Sequence, residues 1–172
     1  TELRKQLIKI EKDYPVEQTI TQELIPFSAD NKTISFTAFC IDGEIKTYWM
    51  GEKLREHPYQ FGTATFARSI YEGQCLNQSK KILKALQYTG VCEVEYLKDP
   101  RDDQFKLIEI NARTWLWVSL ARHCGVDYTK LIYSYFNGQK LKYPANYELN
   151  YYWINPVTDL FYSIKFIFTG KL

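Results

Sequence analysis

The chain is poor in the residues from which many nucleotide and metal motifs are built. Only 8 of its 172 residues are glycine, and the one close pair, Gly43 and Gly51, spans a strand. No G-x-x-x-x-G-K-[ST] or G-x-G-x-x-G run occurs, which removes Walker-type and dinucleotide-binding readings. Cysteine appears four times, as Cys40, Cys75, Cys92 and Cys124, without C-x-x-C spacing, so neither a zinc site nor a redox pair is indicated and core thiols are expected. His123 and Cys124 are neighbours in sequence, but consecutive residues on a helix point apart and make no nucleophile–base pair. His57, beside Pro58, is expected at the surface. No run reaches the roughly 18 apolar residues of a membrane span, and nothing resembles a signal peptide, so a cytoplasmic location is expected. The net charge of +2 is too small for a surface driven by counterion release, and no nucleic-acid partner is expected. No internal repeat or low-complexity segment is present.

What is there is a folded-domain composition, 45% hydrophobic and 24% charged, in a chain long enough to bury about 70% of its unfolded surface. The 14 tyrosines and 10 phenylalanines fit buried hydroxyls and packing surfaces better than base stacking. The patterning predicts a helix from Glu2 to Asp13 and a hairpin, Thr33 to Ile41 and Glu44 to Met50, turned at Asp42-Gly43. A strand follows over Phe61 to Ile70, then a helix over Gln74 to Tyr88 with Leu76, Ile82, Leu83 and Leu86 along one side. Two further helices, Trp115 to His123 and Tyr128 to Phe136, should stop at Gly125 and near Gly138. The expected fold class is α+β, an antiparallel β-sheet with helices packed on one face. Residues 1–140 would form the main lobe and 141–172 an aromatic-rich extension. Its helix from Thr158 to Phe168 carries an apolar stripe suited to packing against protein, another copy of the chain included.

The chemistry concentrates between Glu93 and Arg113. Lys98-Asp-Pro-Arg-Asp-Asp-Gln104 is dense in turn residues and separates two runs of alternation, the signature of a β-hairpin. Folded symmetrically about position 102, it sets Glu95 opposite Glu109 and Glu93 opposite Asn111. Period-two alternation then gathers Glu93, Glu95, Glu109, Asn111 and Arg113 on one face and Cys92, Val94, Tyr96, Ile108 and Ile110 on the core face. Opposed side chains lie about 4.5–5.5 Å apart at Cβ, so two facing carboxylates repel unless a positive charge lies between them. Two carboxylates, an amide oxygen, water and a substrate phosphate are a Mg²⁺ ligand set, and Arg113 is a bidentate grip for a phosphate or carboxylate. A merely solvated face would mix lysine with glutamate.

Glu95, followed by Glu109-Ile-Asn111-Ala-Arg113-Thr, resembles the metal-binding signature of the ATP-grasp superfamily, in its carbamoyl-phosphate-synthase-like branch. Ile20-Thr-Gln22-Glu23-Leu24-Ile25-Pro26 ahead of the strand from Ile34 is similar to the family's hinge, a short strand whose backbone meets adenine, and Gly125-Val-Asp127 resembles its helix break. The likeness spans about residues 18–138. Ala112 stands where the family usually has proline, and Phe27 where it often has glycine. The resemblance implies the second-lobe architecture, ATP and Mg²⁺ (or Mn²⁺) as cofactors, Glu95, Glu109 and Asn111 as metal ligands, and Gln22, Glu23, Leu24 and Ile25 framing adenine. It also implies Asp30 or Asn31 near the ribose, and Lys53, Arg55 and Arg113 around the transferred phosphoryl group, Lys53 and Arg55 sharing one side of the segment Gly51 to Thr65.

By the same resemblance the first lobe, with its phosphate-binding lysine and glycine-rich loop, is missing ahead of Gln22. The chain is therefore expected to be the carboxyl-terminal portion of an ATP-dependent ligase joining a small carboxylate or bicarbonate to an amine-type nucleophile through an acyl phosphate, inactive without the amino-terminal lobe. The alternatives are a non-catalytic nucleotide-binding or assembly module on the same fold, and a plain metal-binding domain.

Overall fold

Asp42 and Gly43, both at positive φ (50° and 77°), make the tight turn that pairs the two central strands, β1 (Thr33–Ile41) and β2 (Glu44–His57). The computed structural model describes residues 2–11, 14, 15, 22–26, 28, 31–58 and 62–169. A first helix, α1 (Glu2–Ile10), precedes them; β3 (Thr63–Ser69), α2 (Gly73–Ala85), β4 (Gly90–Lys98), β5 (Phe105–Asn111), α3 (Val118–His123), α4 (Tyr128–Phe136), β6 (Tyr152–Ile154) and α5 (Pro156–Thr169) follow. The strands form one six-stranded sheet in the order β5-β4-β1-β2-β3-β6, every pair antiparallel.

Alternation along β1 divides its side chains between two cores. Ile34, Phe36, Ala38 and Cys40 pack with Cys92, Val94 and Tyr96 of β4 beneath Cys75, Leu76 and Leu83 of α2. Phe39 faces the other way, into a cluster with Trp49, Trp115, Trp117, Leu120, Cys124, Tyr128 and Leu131. The α+β antiparallel architecture is as expected, and the layering is fuller than the sequence reading: α2 covers one face, while α3 and α4 cover part of the other. A strand buried on both sides reads as a nearly continuous apolar run, which is how β1 is written.

Local chemistry sets the helix ends. The Glu72 carboxylate accepts from Gln74 N at 3.0 Å to begin α2, and Gln87, at φ 48°, turns the chain out after it. Leu86 falls beyond that end and is 58% exposed, not on the packed side. Asp127 caps α4 through Lys130 N at 3.0 Å. α3 begins three residues later than expected, because Trp115 and Trp117 turn into the core before the helix starts.

β2 runs seven residues past Met50, the expected end of the strand. Gly51 is the reason the pattern breaks there. A Cβ at that position would sit 2.4 Å from both the Trp49 and Trp117 rings, so the strand continues with the side chain omitted to admit the indoles. Residues 22–26, the expected hinge strand, have no regular secondary structure. The four cysteines are buried and unpaired, and burial pushes the Cys75 thiol up to about 12, which suits core packing. Two buried tyrosine hydroxyls are satisfied: Tyr96 and Ser79 are 2.8 Å apart, and Tyr128 donates to the Thr37 carbonyl at 3.0 Å.

Residues 152–154 extend the sheet beyond β3, and α5 returns against its end. Asp159 of α5 receives both Arg55 Nε and Nη2 at 2.7 Å and the Thr65 hydroxyl at 3.0 Å, and Tyr162 stacks on His57. Among the described residues no helix is long and apolar enough to cross a membrane.

Candidate functional site

The β4–β5 turn is built by its own acids. Asp99, 1% exposed, accepts from Arg101 N at 3.0 Å and from the Arg101 guanidinium at 2.6–2.9 Å. Those bonds from Arg101 hold its carboxyl well down, at about 2. Asp103 takes positive φ (57°) to close the loop. With the turn fixed, Glu93 pairs with Asn111 and Glu95 with Glu109, the register expected from symmetry about position 102. The symmetry ends one step nearer the turn: Tyr96 pairs with Leu107, leaving Ile108 as the extra residue of a bulge. Ile108 is therefore 45% exposed and lines the carboxylate side, correcting its expected place on the core face.

The hairpin face walls a cleft of about 470 Å³ that continues across β1 to β2 and the turn after it, with Trp115 and Trp117 among its lining. Lys53 reaches into it from β2, crossing β1 to bring Nζ within 2.6 Å of Glu95 Oε2; the side chains are 6% and 13% exposed. Lys53 also lies 3.9 Å from Glu56 and donates to the Gly62 carbonyl at 3.4 Å. Asn111 Nδ2 donates to Glu109 Oε1 at 2.7 Å and to Glu93 Oε2 at 3.3 Å, and Arg113 Nη2 donates to Asn111 Oδ1 at 3.4 Å. Glu93 is 2% exposed. Burial, and then the charge of Glu95, raise its carboxyl to about 7, against smaller opposing effects of Ser35, Lys53 and Asn111. Its Oε1 has no hydrogen-bond partner.

These placements sort the expected site residues. Glu95, Glu109, Asn111, Arg113 and Lys53 all line the one cleft. The Lys53 ammonium supplies one positive charge at the facing pair of Glu95 and Glu109, lying against Glu95. Arg55 does not share the side of Lys53. The β2–β3 register shifts between Lys53 and Arg55 and again before Glu56, so Glu56 takes the cleft position and Arg55 turns to Asp159 and over the Phe66 ring. Gln22, Glu23, Leu24 and Ile25 are not part of the cleft lining; Glu23 instead accepts from Arg101 at 2.6 Å. Asn31 ties its loop to β4, donating to the Lys98 carbonyl at 2.8 Å, while Asp30 and Phe27 lie outside the described residues. Sequence reasoning assigned no role to Glu93 or Glu56. The signal for Glu93 was its two-residue spacing from Glu95 on one face.

Among the described residues no three His, Cys, Asp or Glu side chains are gathered closely enough to hold a metal ion by themselves. The donor chemistry nevertheless fits a hard cation that keeps water and phosphate among its ligands: carboxylates at Glu95 and Glu109, the Asn111 amide oxygen beside them, and a cleft within the usual ligand-pocket range of about 300–1,000 Å³.

Comparison with known proteins agrees on one fold. A match to the family described as carbamoyl-phosphate synthase L chain, ATP binding domain, covers residues 40–143, more than half of the chain. D-aspartate ligase of Enterococcus faecium (strain Aus0004) is 28% identical over 98 residues, 56% of this chain and 23% of that protein. The biotin carboxylase–β,γ-ATP complex of Campylobacter jejuni superposes with TM-score 0.56 at 17% identity over 73% of this chain and 29% of the other. A complete multifunctional pyruvate carboxylase of Rhizobium etli gives 0.58 at 19% identity over 88% of this chain and 15% of the other. The chain thus spans less than a third of the length of each of these relatives.

Proposed function

The chain belongs to the family of the carbamoyl-phosphate synthase L chain ATP-binding domain, within the ATP-grasp superfamily, and from that premise we propose that it is the carboxyl-terminal part of an ATP- and Mg²⁺-dependent ligase. The substrates would be a small carboxylate or bicarbonate and an amine-type nucleophile, joined through an acyl phosphate. The carrying observation is the facing pair Glu95 and Glu109, with Asn111 next to Glu109 on the same cleft wall.

In this reading Glu95, Glu109 and Asn111 hold Mg²⁺, which when bound supplies positive charge to the β- and γ-phosphates. Lys53, held at Glu95, adds a fixed cation on the opposite wall of the cleft. Arg113, at the rim, offers guanidinium donors to the transferred group. Trp115 and Trp117 at the inner wall limit water there. The protein supplies position and electrostatics and needs no nucleophile of its own. Residues Gln22 to Ile25, Asp30 and Asn31 remain the proposed neighbours of adenine and ribose, a role that calls for the loop ahead of β1 to close with the rest of the nucleotide clamp. Arg55 is withdrawn from the phosphoryl site. The proposed lobe is residues 1–140, with 141–172 an extension, in a cytoplasmic enzyme.

Mn²⁺ binding to the full-length protein, measured by electron paramagnetic resonance with and without ATP, tests this reading. E109Q should weaken Mn²⁺ at least tenfold in the presence of ATP, as should N111A to a smaller degree. ATP-dependent formation of a hydroxamate in hydroxylamine should accompany it, because an acyl phosphate is trapped that way. Mn²⁺ affinity indifferent to ATP and to both substitutions would leave a plain metal-binding domain; ATP-enhanced binding without hydroxamate would favour a non-catalytic nucleotide module.

A further inference from the structure

Three buried side-chain polar atoms lack a hydrogen-bond partner among the described residues: Ser35 Oγ, Glu93 Oε1 and Trp115 Nε1. They belong to one neighbourhood. Ser35 pairs with Glu95 and Thr37 with Glu93 across β1 and β4, so Ser35 shares the face of the two acids. Glu93 and Trp115 both line the cleft. A buried polar group left unmatched costs about 1–3 kcal/mol, more when charged, so Glu93 and Trp115 on the cleft wall suit a polar ligand and not an apolar one.

The set has a definite polarity. Among the described residues Glu93 makes no salt bridge; it receives a long hydrogen bond, 3.3 Å, from the Asn111 amide nitrogen at Oε2, and the neighbouring Ser35 hydroxyl also acts on its carboxyl as a hydrogen-bond donor, though not at close range. What it lacks is a donor at Oε1. The charged groups lining the cleft are Glu56, Glu93, Glu95 and Glu109 against Lys53 and Arg113, an excess of negative charge that favours a cationic guest. One feature favours an ammonium over a second divalent ion. Glu93 with the Ser35 hydroxyl is a small ligand set, and among the described residues no three His, Cys, Asp or Glu side chains gather to hold a metal ion. An ammonium is a set of three donors that needs only acceptors around it, while the Trp115 N–H calls for an oxygen elsewhere on the same guest.

We propose that Glu93 holds the ammonium group of the acceptor amine at the inner wall of the cleft, with Ser35 beside it and the Trp115 indole N–H free for an oxygen on the same substrate. This rests on the ligase reading for the word acceptor, but not for the binding itself. It assigns the amine to the wall next to Glu95 and the nucleotide's metal to the Glu95–Glu109 side, so the two substrates meet across one carboxylate.

The test is a titration of the isotope-labelled full-length protein with n-butylammonium chloride, following the Trp115 indole N–H, with sodium butyrate as the probe of opposite charge. A saturable shift is expected with the ammonium and none with butyrate. E93Q should weaken the ammonium at least tenfold, E93D by less, and neither should change Mn²⁺ affinity in the presence of ATP. The proposal is overturned by the absence of a saturable shift in the wild type, by equal affinity in E93Q and E93D, or by loss of Mn²⁺ in E93Q as large as in E109Q, which would make Glu93 a metal ligand. Ammonium binding that survives in a protein unable to bind ATP upholds this subsite and removes the ligase reading; normal ATP and Mn²⁺ behaviour without ammonium binding does the reverse.

Discussion

Lys53 and Arg55 are two residues apart on one strand and serve different halves of the molecule. Lys53 is 6% exposed and pairs across β1 with Glu95 inside the cleft. Arg55 is 49% exposed and pairs bidentately with Asp159, fastening α5 to the end of the sheet. Both are cation–carboxylate contacts below 3 Å, yet their physical worth differs. Water reaches the guanidinium of the second, although Asp159 is itself only 10% exposed, while both members of the first are shielded, so that removing one strands a charge more fully. The lesson is that a short distance says little until burial is known.

The largest effect should come from breaking the inner pair. K53M leaves Glu95 uncompensated and should lower stability by about 3–5 kcal/mol in denaturant titrations at neutral pH. Mg²⁺ should restore part of this loss, because it supplies the missing positive charge. A loss no greater than that of R55M would erase the distinction between the two pairs.

Next in size is a difference in pH response. Glu93, raised from 4.5 to about 7, is harder to ionise in the folded protein than in the unfolded chain. The folded state therefore holds the extra proton between those values, and stability should fall as pH rises through that window, by on the order of 3 kcal/mol, then level off. E93Q should abolish the slope and be the more stable protein at pH 8. Asp159 has the opposite sign. Its carboxyl is lowered, chiefly by the Arg55 hydrogen bond, so its contribution is present above the ordinary carboxylate range and is lost on acidification through the lowered value. Thermal melts of E93Q and D159N across pH 3–8 would show the two slopes separately, and parallel slopes would contradict the assignment.

The smallest effect should be the outer pair itself. D159N keeps an acceptor for the Thr65 hydroxyl and loses the charge and the second oxygen that receives Arg55 Nη2, at about 1 kcal/mol. Hydrogen exchange should rise in α5, while Mn²⁺ binding at the cleft stays as in the wild type.

How much of this was legible beforehand follows the same divide. The hairpin could be read because Asp99, Asp102 and Asp103 fix the turn, but the pairing next to the turn is one residue off symmetry about 102 and the bulge at Ile108 brings Glu95 opposite Glu109, which no count from the turn announces. The fold class was legible for a related reason, since Asp42-Gly43 and the doubly buried β1 declare themselves locally. The pairing of Lys53 with Glu95 was not. It joins residues 42 apart across an intervening strand, and becomes visible only once the order β4-β1-β2 is known. The expected end of the second strand at Met50 was too early, because Gly51 continues it and makes room for two indoles, a packing demand no local pattern carries. The hinge residues matched a motif, but Glu23 is engaged by Arg101 of a distant turn, a contact that no local pattern announces.

The register shifts at Lys53/Arg55 and at Glu95/Tyr96 act like the teeth of a ratchet. Each lets one strand advance by a single residue against its neighbour without disturbing the ladder on either side. Trimming or adding one residue at such a point would exchange which side chain looks inward, lysine for arginine on one wall or isoleucine for a neighbour on the other, while the sheet stayed intact. The residues that face the cleft are thus set by single-residue offsets between strands and not by alternation alone.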